Sequence, residues 1–139
     1  MDKYIFSAVF EPGNIKGYVI TFPDLPGCIT EGDTLEDALA MAKDALELHL
    51  YGMEEDGNFI PQPTPPEKIH APEGSFVVPV EVYMPPVRDE MANKAVKKTL
   101  TLPKWLNDAA EKAEINFSQL LQQALKERLG INERKKKAL

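Results

Sequence analysis

The sequence predicts an α+β protein in two parts, a β-β-β-α-β body followed by a small β-α-α module. Three observations predict it. Short runs rich in β-branched and aromatic residues alternate with turn signals up to Gly32, and one amphipathic helical pattern follows. A stretch of dense proline over residues 54–75 then separates that helix from a further strand-like run. Charge changes sign along the chain: residues 1–91 hold 5 Lys+Arg against 17 Asp+Glu, a balance of −12, and residues 92–139 hold 11 against 5, a balance of +6. A basic module following an acidic body suits nucleic acid at one end and a protein partner at the other.

In the body, Tyr4–Glu11 reads as a strand, Pro12-Gly13-Asn14 as a turn and Gly17–Phe22 as a second strand, which makes a hairpin. Pro23–Gly27 is a tight loop, and Cys28–Glu31 a short third strand. Thr34 caps a helix with Asp37 at the capping-box position. Its buried stripe is expected at Leu35, Leu39, Ala42, Leu46, Leu50 and Met53, and its end at about Tyr51, where Gly52 stops it. Pro61, Pro63, Pro65, Pro66 and Pro72 favour an extended, stiff connection. Phe76–Met84 is strand-like, and Pro79 inside it implies an edge position or a bulge. Pro85-Pro86 is expected to break it. The body is therefore set at residues 1–84, with a polar, partly helical linker over 85–95.

The second module is expected over 96–130, with a basic tail over 131–139. Val96–Leu102 alternates: Lys97, Thr99 and Thr101 point one way, and Lys98, Leu100 and Leu102 the other. Pro103 ends the strand and opens a helix carrying Leu106, Ala109, Ala110 and Ala113 on one face. Asn116 caps the next helix with Gln119 three residues on. Leu120, Leu121, Ala124, Leu125 and Leu129 form its apolar face, and Gly130 ends it. One strand and two helices are too few to bury a core unaided. A second copy is the simplest remedy: the strands pair antiparallel, and Leu100, Leu102, Leu121 and Leu125 form the dimer core. The outer face of such a ribbon fits the major groove, with Lys97, Thr99 and Thr101 reading bases. Lys98, Lys104, Asn116 and Ser118 are candidates for backbone phosphates. The stretch resembles the ribbon-helix-helix DNA-binding fold. In the competing arrangement the strand joins the sheet of the body and the helices cover it.

Composition excludes several classes. With one cysteine, Cys28, there is no internal disulfide framework, which fits a reducing cytoplasm. No apolar run approaches the ~20 residues that span a membrane, and Met1-Asp2-Lys3 lacks a signal-peptide pattern. A two-metal nuclease site needs several converging carboxylates, but the first strand offers only Glu11 and the second none. His49 and His70 have no ligand spacing with each other or with Cys28, and nucleophile motifs and phosphate-cradling glycine loops are absent. Catalytic residues, metal and cofactor are all expected to be none.

The string Phe22-Pro23-Asp24-Leu25-Pro26-Gly27-Cys28, followed by Gly32-Asp33-Thr34 and an Ala-containing helix, closely resembles the signature of HicB antitoxins. That resemblance implies a partial ribonuclease H-like body without chemistry, which neutralises a HicA-like toxin, a small basic ribonuclease that cuts mRNA. It also implies a C-terminal module that binds the operon's promoter DNA and represses it. The protein is then a cytoplasmic homodimer, with a tetramer left open. An acidic body suits the basic surface of an RNA-binding toxin. The carboxylates proposed for that contact are Asp24, Glu31 and Asp33 around the loop and Glu36, Asp44 and Glu47 on the helix. The alternative function is a stand-alone ribbon-helix-helix repressor whose acidic domain senses another signal or oligomerises. An enzyme of the ribonuclease H type is a weaker third.

Overall fold

The computed structural model describes residues 1–131. The expected basic run Arg134–Lys137 lies outside them. Two compact units are present, Met1–Ala95 and a second beginning at Val96.

The first unit is a four-stranded antiparallel sheet built from β1 (Lys3–Pro12), β2 (Tyr18–Thr21), β3 (Ile29–Gly32) and β4 (Phe76–Tyr83), in the order β3-β2-β1-β4. β1 is the central strand, with Val9 opposite Thr21 of β2 and Phe6 opposite Val80 of β4. Period-two alternation sends Phe6, Ala8, Phe10, Ile20, Val80 and Val82 to one face, where all are buried. Helix α1 (Leu35–Glu55) covers that face through Ala38, Ala42, Leu46 and Leu50, which lie four residues apart and are fully buried. Phe10, Tyr18 and Phe76 meet at ring-centroid distances of 5.3–6.0 Å and tie three strands together at one end. β4 is an edge strand, the position within a sheet that tolerates proline such as Pro79.

Ser7 and Val9 point away from α1 yet are almost wholly buried. The proline-rich segment is anchored to this sheet at two places. It is held at Thr64 by Asp24 in the β2–β3 connection, and its 3-10 turn (Pro66–Lys68) touches β4. Those anchors lie on opposite sides of β1.

Three expectations for this unit need correction. The buried stripe of α1 is rotated: Leu35 and Leu39 are 47% and 42% exposed, and Ala38 takes the inner position. Gly32 explains the shift. A Cβ there would sit 2.5 Å from the Ala38 nitrogen, so strand and helix backbones nearly touch and only small residues fit between them. Secondly, α1 does not stop at Gly52 but runs to Glu55. Thirdly, residues 85–95 are not a linker. Pro85 and Pro86 occupy the first turn of helix α2 (Met84–Asn93), where a missing N–H costs nothing. Met84 is fully buried and Val87 packs on the core, so α2 belongs to the body.

The second unit contains helices α3 (Lys104–Lys112) and α4 (Phe117–Leu129). Asn116 caps α4 by accepting the Gln119 N–H at 3.1 Å, and Gly130 closes it with φ 72°. Val96–Leu102, expected as a strand, is irregular and pairs with no strand. A strand needs a neighbour for its ladder, and residues 96–102 have none among the described residues.

Candidate partner-binding surfaces

The signature loop is a closed bend. The Phe22 N–H donates to the Cys28 carbonyl at 3.2 Å, Leu25 N–H to Phe22 at 2.9 Å, and Cys28 N–H to Leu25 at 3.0 Å. Phe22, Leu25 and Cys28 point into the core, and Gly27 adopts φ 91°, a left-handed conformation that favours glycine. Burial pushes the Cys28 thiol up to about 11, which keeps it protonated and unreactive. Downstream, Thr34 Oγ1 accepts the Asp37 N–H at 3.0 Å and starts α1. Most of the signature therefore serves the fold.

The six candidate carboxylates are not one cluster. Both Asp24 oxygens are engaged by Thr64, each at 2.7 Å, one by its N–H and one by its hydroxyl, so this carboxylate latches the proline-rich segment. Asp33 faces Lys16 at 3.5 Å in an exposed pair. Glu31 lies on exposed β3, and its alternation places it on the sheet face away from α1. Glu36 and Asp44 are exposed on α1, and neither makes an ion pair among the described residues. Glu47 is half-buried. Its pKa is raised chiefly by burial, opposed by Lys43 and reinforced by Asp44 and by Glu90 of α2. The structure thus groups Glu47 with Asp44, and it sets Asp24 to another task.

Arg88 was not singled out from the sequence. Its Nε and Nη2 bond Glu54 at 3.0 and 2.7 Å, its Nη1 bonds Asp2 at 2.7 Å, and Nη2 also reaches the Met1 carbonyl at 2.7 Å. The available signal was its isolation: no other Lys or Arg stands between Lys68 and Lys94. Thr64 gave no such signal, because its partner is 40 residues away.

In the second unit, Lys97, Lys98, Thr99 and Thr101 are all exposed. Lys104 pairs with Asp108 at 2.6 Å across one helical turn on an open surface, a contact of a few tenths of a kcal/mol that a phosphate can displace. The Ser118 hydroxyl accepts from Gln122 at 3.1 Å and retains its own proton to donate. Asn116 spends its oxygen on the cap. Leu100 and Leu125 are 58% and 50% exposed, Leu102 is also exposed, and Leu121 is half-buried. Trp105 is 72% exposed. No residue of α3 or α4 is fully buried.

Among the described residues, no group of three His, Cys, Asp or Glu is placed to hold a metal ion, and no helix is long and apolar enough to cross a membrane.

Comparison with known proteins adds identity to this geometry. The family described as the HicB_like antitoxin of bacterial toxin-antitoxin systems matches residues 6–125. An uncharacterised 14.9 kDa protein of Haemophilus phage HP1 is 40% identical over 93 residues, spanning 65% of this chain and 67% of that one. Antitoxin HicB 1 of Photorhabdus laumondii is 43% identical over 60 residues, 43% of this chain but only 39% of that antitoxin. The match thus covers well under two thirds of the Photorhabdus protein. A chain of a toxin–antitoxin complex from Streptococcus pneumoniae superposes with a TM-score of 0.58 at 25% identity, covering 91% of this chain and 99% of that one. With the family matched from the first core strand into α4, the chain belongs to the HicB-like antitoxins of bacterial toxin–antitoxin systems, which are regulatory proteins and not enzymes.

Proposed function

We propose that this chain neutralises a small basic HicA-like ribonuclease through its acidic body and represses its own operon through residues 96–130, acting in the cytoplasm as a homodimer at least. The family match over residues 6–125 carries the proposal, supported by the likeness to the pneumococcal complex. The body would be a ribonuclease H-like scaffold used for binding alone. Its balance of −12 over residues 1–91 suits a toxin whose surface must hold RNA phosphates, and it speeds their encounter.

The second unit would work as a pair. Two copies of Val96–Leu102 supply each other's missing ladder and cover Leu100 and Leu102, with Leu121 and Leu125 closing the core behind them. Lys97, Thr99 and Thr101 then face the major groove of promoter DNA in two-fold repeat, with Lys98, Lys104 and the N-terminal end of α4 on phosphates.

The test uses the full chain and its Lys97/Thr99/Thr101→Ala variant, bound to the DNA upstream of its own gene at about 50 and 200 mM salt. The intact chain is expected to bind with steep salt dependence. The variant should lose sequence preference, at about 1–3 kcal/mol per base contact, yet still neutralise the toxin. Loss of neutralisation in the variant would refute the division of labour between the units.

A further inference from the structure

The toxin's place on the body is the question left open by the scattered carboxylates, and a glycine points to an answer. Gly52 lies inside α1, one turn before its end. Glycine there costs about 1 kcal/mol relative to alanine. Its φ is not positive, and a Cβ on it would meet nothing within 4 Å. Neither backbone conformation nor close packing within the chain calls for a glycine. The position is therefore open to close approach from outside.

Gly52 opens onto a groove of about 600 Å³ between the Pro26–Ile29 bend and the C-terminal half of α1. Ala45, Leu48, Gly52 and Asp56 follow one another at three- and four-residue spacing and form a continuous stripe along the groove. Leu48 is 59% exposed at its centre. Across from it, buried Cys28 forms the far wall, and the His49 ring stands beside Gly27, whose added Cβ would lie 3.9 Å from Cε1. Two further sides of α1 are occupied, one by the sheet and one by α2 through the Glu54–Arg88 contact.

We infer that this groove receives an apolar side chain projecting from the basic surface of the toxin, with Leu48 as the central contact and Gly52 admitting the incoming chain. The inference rests on the proposed function and names the site where it acts. An apolar centre with a charged rim is the anatomy of a protein interface. Asp56 lies at one end of the groove, and no Lys or Arg lines it. That charge favours a basic occupant over a second acidic body or a small anion.

The probe is a catalytically inactivated HicA-like toxin, titrated with the full-length chain. Leu48→Glu places a charge on the groove centre, and Gly52→Phe fills it. Ile15→Glu, at a fully exposed hairpin residue, is the control. Both groove variants are expected to bind at least about thirtyfold more weakly, with the control unchanged. The thermal midpoint of Gly52→Phe should not fall, since glycine leaves the helix, so weaker binding cannot be ascribed to unfolding. Wild-type affinity in both groove variants, with the intact chain binding well, would overturn the inference and leave the proposed function standing. No binding and no neutralisation by the intact chain would overturn the proposed function, and the inference with it.

Discussion

The two units differ in what one copy of the chain can finish. The body closes around Phe6, Phe10, Leu46 and Leu50, all with no exposure to solvent, and even the sheet face away from α1 is covered in its middle. The second unit has well-formed caps at both ends of α4 yet buries no helix residue completely. Local signals cap its helices, while most of its large apolar side chains stay at least partly exposed. Caps contribute about 1 kcal/mol each, but short helices take most of their stability from tertiary packing. The body is a complete fold, whereas the second unit leaves its apolar face uncovered.

The largest expected effect tests that contrast directly. Leu100→Asp puts a charge where two ribbons would meet, and burying an unpaired charge is prohibitive. The variant is expected to sediment as a monomer and to lose the circular-dichroism signal of α3 and α4, while the body still melts as one cooperative transition. In the unaltered chain, melting of the second unit should depend on protein concentration and melting of the body should not. A variant that keeps both dimer mass and helices would break the comparison, because another surface would then be covering the apolar face.

The next effect falls on the body alone. Gly32→Ala would set a Cβ 2.5 Å from the Ala38 nitrogen and 2.6 Å from its Cα, and neither backbone atom can move away cheaply. Overpacking of this kind costs about 3 kcal/mol. The urea midpoint of the body should drop accordingly, with the second unit unaffected. A midpoint within error of wild type would mean that α1 shifts freely over β3, and the body would be less fixed than its burial implies.

How much of each unit was legible in the sequence follows the range of the interactions. Thr34 with Asp37 and Asn116 with Gln119 were expected as caps, and both hydrogen bonds form, because capping is decided within four residues. The strands of the body fall within a residue or two of their expected places. The stripe of α1 was misplaced because hydrophobicity ranks leucine over alanine, whereas the Gly32 approach ranks by size. Pro85-Pro86 do follow the end of the strand as expected, but the same residues also suit a helix start, and that start was missed. Among the candidate contacts, Asp24 appeared free because its partner Thr64 sits in a proline-rich stretch with no periodicity to betray contact. Residues 96–102 are irregular although their side chains alternate, because alternation is a local pattern and a strand also needs a partner for its hydrogen bonds.

The smallest effect concerns the boundary between the units, where a linker was expected and α2 packs on the body. Arg88 is the polar part of that attachment, holding Glu54 at the end of α1 and Asp2 at the start of β1. Its hydrogen bonds hold both carboxylates below their usual pKa. A depressed carboxylate pKa means that the unfolded chain takes up protons first as the solution is acidified. The stabilisation is therefore present at neutral pH and is lost as pH falls through the ordinary carboxylate range and below it. Because the clamp is partly exposed, Arg88→Gln is expected to cost only about 1 kcal/mol at pH 7. Urea titrations at pH 7 and at about pH 3 should show the gap between variant and wild type closing in acid. A gap of the same size at both pH values would mean that Arg88 holds α2 by packing of its aliphatic stem. A gap of zero at pH 7 would mean that Met84 and Val87 fix α2 by themselves, leaving its attachment to the body as hydrophobic as the core it adjoins.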